Sequence, residues 1–112
     1  MSVSQIKEIS AIELNKWLAD TSHSFRVIDV RGMEEIAGGT LPKAMALPLH
    51  TLPARVQDLS KNEKTVIVCH SGGRSAQACL FLQQQGFSNL HNLRGGMMGW
   101  VQAGFAPHPL GK

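Results

Sequence analysis

The chain has 112 residues, of which 43% are hydrophobic and 17% charged, a composition typical of one ordinary globular domain. The formal net charge is only +3, and the eleven lysines and arginines are scattered, which argues against a nucleic-acid-binding face. Two cysteines are too few for a disulfide framework, and no apolar run is long enough to span a membrane. The polar N-terminus lacks the apolar core of a signal peptide. We therefore expect one domain over residues 1–112, with its core at about 8–105 and a tail at 106–112, in the cytoplasm and with reduced thiols.

Helical and strand patterns alternate along the chain. In chain order, they predict a helix at 10–20, a strand at 25–30, a short helix at 33–37, a strand at 44–47, a helix at 51–59, a strand at 65–69, a helix at 74–85, a strand at 89–93 and a helix at 95–103. Ser10 and Glu13 form a capping box at the first helix. Thr51 as the capping residue and Pro53 in the first turn mark the start of the third helix.

The central strands are apolar on both faces, which is typical of a parallel sheet covered by helices. Such open α/β sheets bind ligands at the carboxyl ends of their strands. Two groups of functional side chains follow strand ends here, at residues 29–31 and from Cys69 onward. The sequence therefore predicts an α/β fold with its site at one edge of the sheet.

Cys69 ends the most apolar strand and precedes a glycine-rich loop and a helix. The seven residues from the cysteine into the helix are Cys69-His70-Ser71-Gly72-Gly73-Arg74-Ser75. Adjacent glycines let the backbone N–H groups turn inward, and the helix start adds further positive potential. A thiolate held there should have a pKa below the free value of about 8.5. Arg74 and His70 are expected to add positive charge at the rim.

Other polar residues have plainer interpretations. A lone cysteine is often only a small buried side chain, but the glycines and Arg74 favour a nucleophile at position 69. Cys79 lies inside the following helix and is predicted to be a core residue, with a resolving thiol as the alternative. Asp29 and Arg31 could reach the pocket from a neighbouring strand end, but we prefer an ion pair with Glu34 or Glu35 that fixes the loop.

The remaining candidates carry less chemistry. The histidines have no metal-ligand spacing, so no metal site is predicted, and His108 is expected in a flexible tail. Trp17 and Trp100 are expected in the core. Met97 and Met98 could either line the pocket or pack in the core.

The loop from Cys69 to Ser75 resembles the Cys-x-x-Gly-x-Arg-Ser active loop of single-domain rhodaneses. Three other segments resemble the same family in the same order, and the match extends over about residues 8–105. These segments are Asp29-Val30-Arg31 with Glu34 or Glu35 following, Gly39-Thr40-Leu41-Pro42-Lys43-Ala44, and Arg94-Gly95-Gly96-Met97-Met98-Gly99-Trp100. Thr40 and Lys43 depart from the family pattern, which has His and Gly there.

The resemblance implies a rhodanese-like central parallel sheet of about five strands, with helices on both faces. It also implies a sulfurtransferase without metal or organic cofactor. Cys69 would be the catalytic residue, carrying sulfur as a persulfide from thiosulfate or a similar donor to cyanide or a thiol. The substrate-binding residues would be His70, Ser71, Gly72, Gly73, Arg74 and Ser75. The implied partners are these small molecules or a protein persulfide carrier, with no nucleic acid or membrane, and the chain would be a monomer or homodimer.

Loop length separates this assignment from its alternatives. Phosphatases and arsenate reductases of the same fold use five residues between Cys and Arg, whereas four separate Cys69 from Arg74. A shorter loop suits one extra sulfur atom better than a tetrahedral oxyanion. A non-catalytic partner-binding module is the other alternative, although such modules usually lack the cysteine.

Overall fold

The computed structural model describes residues 6–111 and contains a five-stranded, wholly parallel sheet. The strands lie in the order β1-β5-β4-β2-β3, so that β4 is central. Their bounds are β1 Lys7–Ile9, β2 Arg26–Asp29, β3 Ala44–Ala46, β4 Thr65–Val68 and β5 Leu90–Leu93. The predicted α/β architecture is confirmed.

Within the described residues, four α-helices connect the strands and a fifth follows β5. They are α1 Ala11–Ala19, α2 Met33–Ala37, α3 Leu52–Arg55, α4 Gly73–Gln84 and α5 Gly96–Gln102. The predicted capping box starts α1, because Ser10 Oγ accepts the N–H of Glu13 at 3.1 Å and Glu13 Oε1 accepts that of Ser10 at 2.9 Å. No helix within residues 6–111 is long and apolar enough to cross a bilayer.

Two apolar cores cover the two faces of the sheet. Ile67 of β4 packs into one core with residues of α3 and α4, whereas Val66 and Val68 pack into the other with residues of α1 and α5. All four residues of β4 are buried, and each such aliphatic side chain contributes about 1.5–3 kcal/mol on burial. The central strand is therefore fixed from both sides, and so is the residue that follows it, Cys69.

Two elements differ from the sequence-based prediction. β1 was not predicted from the residue pattern, because it is a three-residue edge strand in which only Ile9 is buried. The helix predicted at 51–59 is broken into 3₁₀ turns on either side of a single α-helical turn, α3. Thr51 does not cap it, since its hydroxyl donates to the carbonyl of Pro48 at 2.7 Å.

The C-terminal segment docks on the fold, so the prediction of a flexible tail at His108 is wrong. The backbone N–H of His108 donates to the carbonyl of Thr40 at 2.7 Å, and the N–H of Thr40 donates back at 2.8 Å. Trp100 Nε1 also donates to the carbonyl of Ala106 at 2.9 Å. The two Thr40–His108 bonds join backbone groups and carry no side-chain signature, which is why composition alone suggested a tail.

Candidate functional site

The Cys69 side chain lies at the carboxyl edge of the sheet, directly after the central strand β4 and before α4. The N–H of Gly72 donates to Cys69 Sγ at 3.0 Å, and Ser75 Oγ lies 3.3 Å from the same sulfur. Gly72 has φ +116°, a left-handed conformation that turns its N–H inward and strains any residue with a Cβ. The predicted cradle of inward-facing donors is therefore present around the sulfur.

Cys69 is almost fully buried, at 1% exposure, yet its surroundings are polar on the loop side. Burial raises the pKa of its thiol, but hydrogen bonds from the Ser75 hydroxyl and from the N–H groups of Ser75, Gly72 and Ser71 outweigh it, so the pKa is lowered. Cys79 is a useful contrast, since burial raises its thiol pKa to about 12. Cys69 thus has the environment of a nucleophile, whereas Cys79 is the core residue predicted.

Asn92 is a polar member of the site that the sequence analysis missed. Ser75 Oγ donates to Asn92 Oδ1, and Asn92 Nδ2 donates to the carbonyl of Gly72 at 3.3 Å. Asn92 is 3% exposed and pairs in register with Ile67 one strand away, which brings its side chain beneath the loop. The available signal was an amide in the middle of an otherwise buried strand, because a buried amide needs hydrogen-bond partners.

The start of α5 clamps the loop from the other side. The N–H of Met97 donates to the carbonyl of Cys69 at 2.8 Å, and that of Met98 donates to the carbonyl of His70 at 2.9 Å. Gly96 immediately precedes Met97 and has a φ of +59°. A Cβ on Gly96 would be 2.4 Å from the Cys69 carbonyl oxygen. The absence of a side chain at Gly96 thus allows the backbone of α5 to contact the loop.

Arg74 is engaged by a carboxylate rather than turned toward the sulfur. Its Nη1 and Nη2 atoms donate to Glu35 Oε1 and Oε2 at 2.7 and 2.8 Å, a bidentate pair. The Arg74 hydrogen bonds are the main reason that the pKa of Glu35 falls to about 2. The positive charge expected from Arg74 at the rim is therefore balanced by the Glu35 carboxylate.

The expected pairing of Arg31 with Glu34 or Glu35 is wrong. Arg31 Nη2 donates instead to Asp29 Oδ2 at 2.8 Å, and both side chains are buried. Asp29 is only two residues upstream, and its Oδ1 also accepts the backbone N–H of Arg31 at 3.0 Å. It fixes the segment that leads into α2, as the prediction of a loop-fixing ion pair required.

Two shallow hollows flank the Glu35–Arg74 pair. One, of about 330 Å³, is lined on its apolar side by Met97, Met98, Val101 and Pro107, with His70 at its edge. The other, of about 360 Å³, has Val30, Pro48 and Leu49 in its wall. Met97 is both a core residue and part of the wall, whereas Met98 is exposed. Trp100 is in the core as predicted. Trp17 is half-buried and packs against the same core.

The family model for the rhodanese-like domain matches residues 10–103, which is most of the chain. The chain belongs to the rhodanese family. Within residues 6–111, no group of three or more His, Cys, Asp or Glu side chains is arranged to hold a metal ion.

Several rhodanese relatives match over nearly their whole length. A sulfurtransferase of Allochromatium vinosum is 42% identical over 99 residues, covering 88% of this chain and 92% of that protein. A thiosulfate sulfurtransferase of Pseudomonas entomophila is 28% identical, with 85% and 87% covered. The crystal structure of a rhodanese-like domain protein from Staphylococcus aureus, 37% identical, superposes with a TM-score of 0.79 over 85% of this chain and 91% of that one. These relatives support a sulfurtransferase role for this rhodanese.

The two departures from the rhodanese pattern have structural accounts. Thr40, in place of the usual His, is buried and donates its hydroxyl proton to Asp29 Oδ2 at 2.6 Å. Lys43, in place of the usual Gly, adopts the left-handed φ of +59° that a glycine would favour. Its ammonium lies 4.0 Å from the ring centroid of Phe25, a cation–π contact that offsets part of this backbone strain.

We expect the Thr40→Val substitution to lower the free energy of unfolding by about 2 kcal/mol, because the buried Asp29 carboxylate loses a donor. Because valine has a shape similar to that of threonine, the loss of unfolding free energy measures the missing hydroxyl group and not a cavity. Urea unfolding measures it, with Thr21→Val as the control because Thr21 lies in an exposed turn. Equal losses for the two variants would contradict this role of Thr40.

Proposed function

We propose that this chain is a sulfurtransferase that carries one sulfur atom as a persulfide on Cys69. The observation that carries the proposal is the set of donors on the Cys69 sulfur, with the Gly72 N–H at 3.0 Å and the Ser75 hydroxyl at 3.3 Å. Donors arranged in this way stabilise a thiolate before the reaction and an anionic persulfide after it. A thiol that served only as apolar filling would need none of them.

The first half-reaction uses a donor such as thiosulfate. The Cys69 thiolate attacks the outer sulfur, a new S–S bond forms, and the bond between the outer sulfur and the sulfonyl sulfur breaks. Sulfite leaves with that electron pair, so the charge of the thiolate and the donor is conserved in the persulfide and sulfite. In this proposal the N–H groups of residues 70–75 receive the anions, and no step requires a metal or an organic cofactor.

The second half-reaction restores the enzyme. A nucleophile such as cyanide or a thiolate attacks the outer sulfur of the persulfide, and Cys69 leaves as the thiolate with the electron pair. The product is thiocyanate or a new persulfide, which can belong to a small molecule or to a carrier protein. The lowered pKa of Cys69 makes it a good leaving group in this step, for the same reason that it is a ready nucleophile in the first.

Two features weigh against the phosphatase alternative. Four residues rather than five separate Cys69 from Arg74, so the loop encloses less space. The Arg74 fork, which would have to bind two oxygens of a phosphate, is bound by both oxygens of Glu35. Hydrolysis of an aryl phosphate that depends on Cys69 would favour the phosphatase instead.

The direct test is the intact mass of the protein after incubation with thiosulfate. We expect a gain of one sulfur atom that cyanide removes, and no gain in Cys69→Ser. The Cys79→Ser variant is the matched control, because it removes the other thiol, which is buried and has a raised pKa, and it should gain the sulfur normally. A parent protein that gains no sulfur from any sulfane donor would contradict the proposal.

A further inference from the structure

The arginines around the site are all engaged by carboxylates. One arginine follows each of the strands β2, β5 and β4, the last within the loop, and each pairs with an acidic side chain. The pairs are Arg31 with Asp29, Arg94 with Glu8 and Arg74 with Glu35. Among residues 6–111, the positive potential left for a ligand at this edge therefore comes mainly from the loop N–H groups.

Thiosulfate is poorly matched to such a site. When a thiolate attacks this dianion, three negative charges meet, and their repulsion must be screened by nearby cations. Arg74 is the nearest candidate, but the Nη1–Nη2 edge of its guanidinium is already occupied by both oxygens of Glu35, at 2.7 and 2.8 Å. A donor with one negative charge, or none, brings less repulsion and needs no such cation.

The hollow beside the loop indicates that a sulfur donor of low charge would bind through an apolar group. Its apolar lining consists of Met97, Met98, Val101 and Pro107, and its polar lining includes Arg31, Glu35 and His70, the last of which belongs to the loop itself. Met98 and Val101 are 42% and 50% exposed, so apolar surface is left open to solvent in the hollow that His70 of the loop also lines. A volume of about 330 Å³ is the size of an organic ligand site and far more than the small thiosulfate ion fills.

We propose that this site prefers sulfane-sulfur donors that carry an apolar group and at most one negative charge, such as organic persulfides, and that Glu35 sets the preference by holding Arg74. This inference rests on the proposed function. The Cys69 thiolate attacks the outer sulfur of the donor, and the S–S bond to the rest of the donor breaks. The organic group leaves as an anion with the electron pair, a thiolate from a persulfide or a sulfinate from a thiosulfonate. The hollow receives that group.

The test compares thiosulfate with benzenethiosulfonate, which replaces one charged oxygen by a phenyl ring and transfers its sulfur by the same bond change. In the parent protein, we expect kcat/KM to be about tenfold higher for benzenethiosulfonate, from burial of the ring. In Glu35→Gln, kcat/KM for thiosulfate should rise about fivefold as the Arg74 fork is released, and that for benzenethiosulfonate should change less than twofold. Glutamine keeps an acceptor for the Gly32 N–H, which Glu35 Oε1 binds at 3.1 Å.

Two matched controls separate this mechanism from general effects. Glu34→Gln makes the same change in net charge at an exposed neighbour that has no ion pair within the described residues, so thiosulfate kinetics should stay at the parent level. Met98→Ser should raise KM for benzenethiosulfonate severalfold, and by a larger factor than it changes KM for thiosulfate. Met45→Ser is its control, because Met45 is also 42% exposed and lies outside both hollows.

The outcomes distinguish this inference from the proposed function. Equal or higher kcat/KM for thiosulfate in the parent protein, or identical kinetics in Glu35→Gln and Glu34→Gln, would overturn the inference while sulfur transfer stands. If neither donor leaves a sulfur atom on Cys69, the sulfurtransferase proposal fails and this inference fails with it.

Discussion

Replacing Gly96 by alanine should lower the free energy of unfolding by about 3 kcal/mol and abolish sulfur uptake on Cys69. A Cβ at this position would lie 2.4 Å from the carbonyl oxygen of Cys69, 2.5 Å from that of His70 and 2.6 Å from the His70 carbonyl carbon. These are backbone atoms, so no side chain can rotate to relieve the contact. Either the loop or α5 must move, and each movement breaks the hydrogen bonds that Met97 and Met98 donate to the loop.

The control for Gly96→Ala is Gly104→Ala. Gly104 also has a positive φ, +96°, but nothing lies within 4 Å of a Cβ built there. It therefore carries the backbone cost of about 1 kcal/mol without the collision. Urea unfolding and the mass gain from thiosulfate measure the two effects. A Gly96→Ala variant that takes up sulfur as fast as Gly104→Ala would show that the contact between α5 and the loop does not position Cys69.

Local signals were sufficient for the parts of the fold that depend on one segment. The alternation of short strand patterns and helices predicted β2 to β5, and β2 and β4 carry their own apolar runs between turn residues. Ser10 and Glu13 specify the start of α1 within four residues. The loop was predictable for the same reason, since the glycine that must turn its N–H toward Cys69 is only three residues away.

The contacts that the sequence did not predict join segments that are far apart in the chain. The Glu35–Arg74 pair joins residues 39 positions apart, and the Ser75–Asn92 contact joins residues 17 apart. Each requires the strand order and register, which place β5 beside β4 and β2 on the other side. β1 is stabilised by its pairing with β5, which a pattern with one buried residue cannot indicate. The loop was thus predictable, but the counter-ion of its arginine was not.

Replacing Ser75 by alanine should slow sulfur uptake on Cys69 about tenfold near pH 6 and leave it unchanged or faster at alkaline pH. The Ser75 hydroxyl is the strongest of the groups that lower the pKa of the Cys69 thiol, against the effect of burial, which raises it. Its loss raises the pKa, so a smaller fraction of the protein carries the thiolate at low pH. Above the pKa of both proteins the thiolate is fully formed, and the more basic sulfur is intrinsically the better nucleophile.

The pH profile distinguishes this electrostatic role from a structural one. Alkylation of Cys69 by iodoacetamide across the pH range gives the thiol pKa directly, with the Cys79→Ser background used for both proteins. Ser71→Ala is the matched variant, because Ser71 acts through its N–H, which alanine retains. The titration midpoint of Cys69 in Ser71→Ala should equal that in the parent protein. A deficit of Ser75→Ala that is the same at every pH would mean that the loop has moved, not that the thiolate has lost its donor. The Ser75 hydroxyl lies within hydrogen-bond distance of both Asn92 Oδ1 and Sγ. We therefore expect ionisation of Cys69 to draw its one proton toward Sγ, which would link the charge of the nucleophile to the strand beneath it.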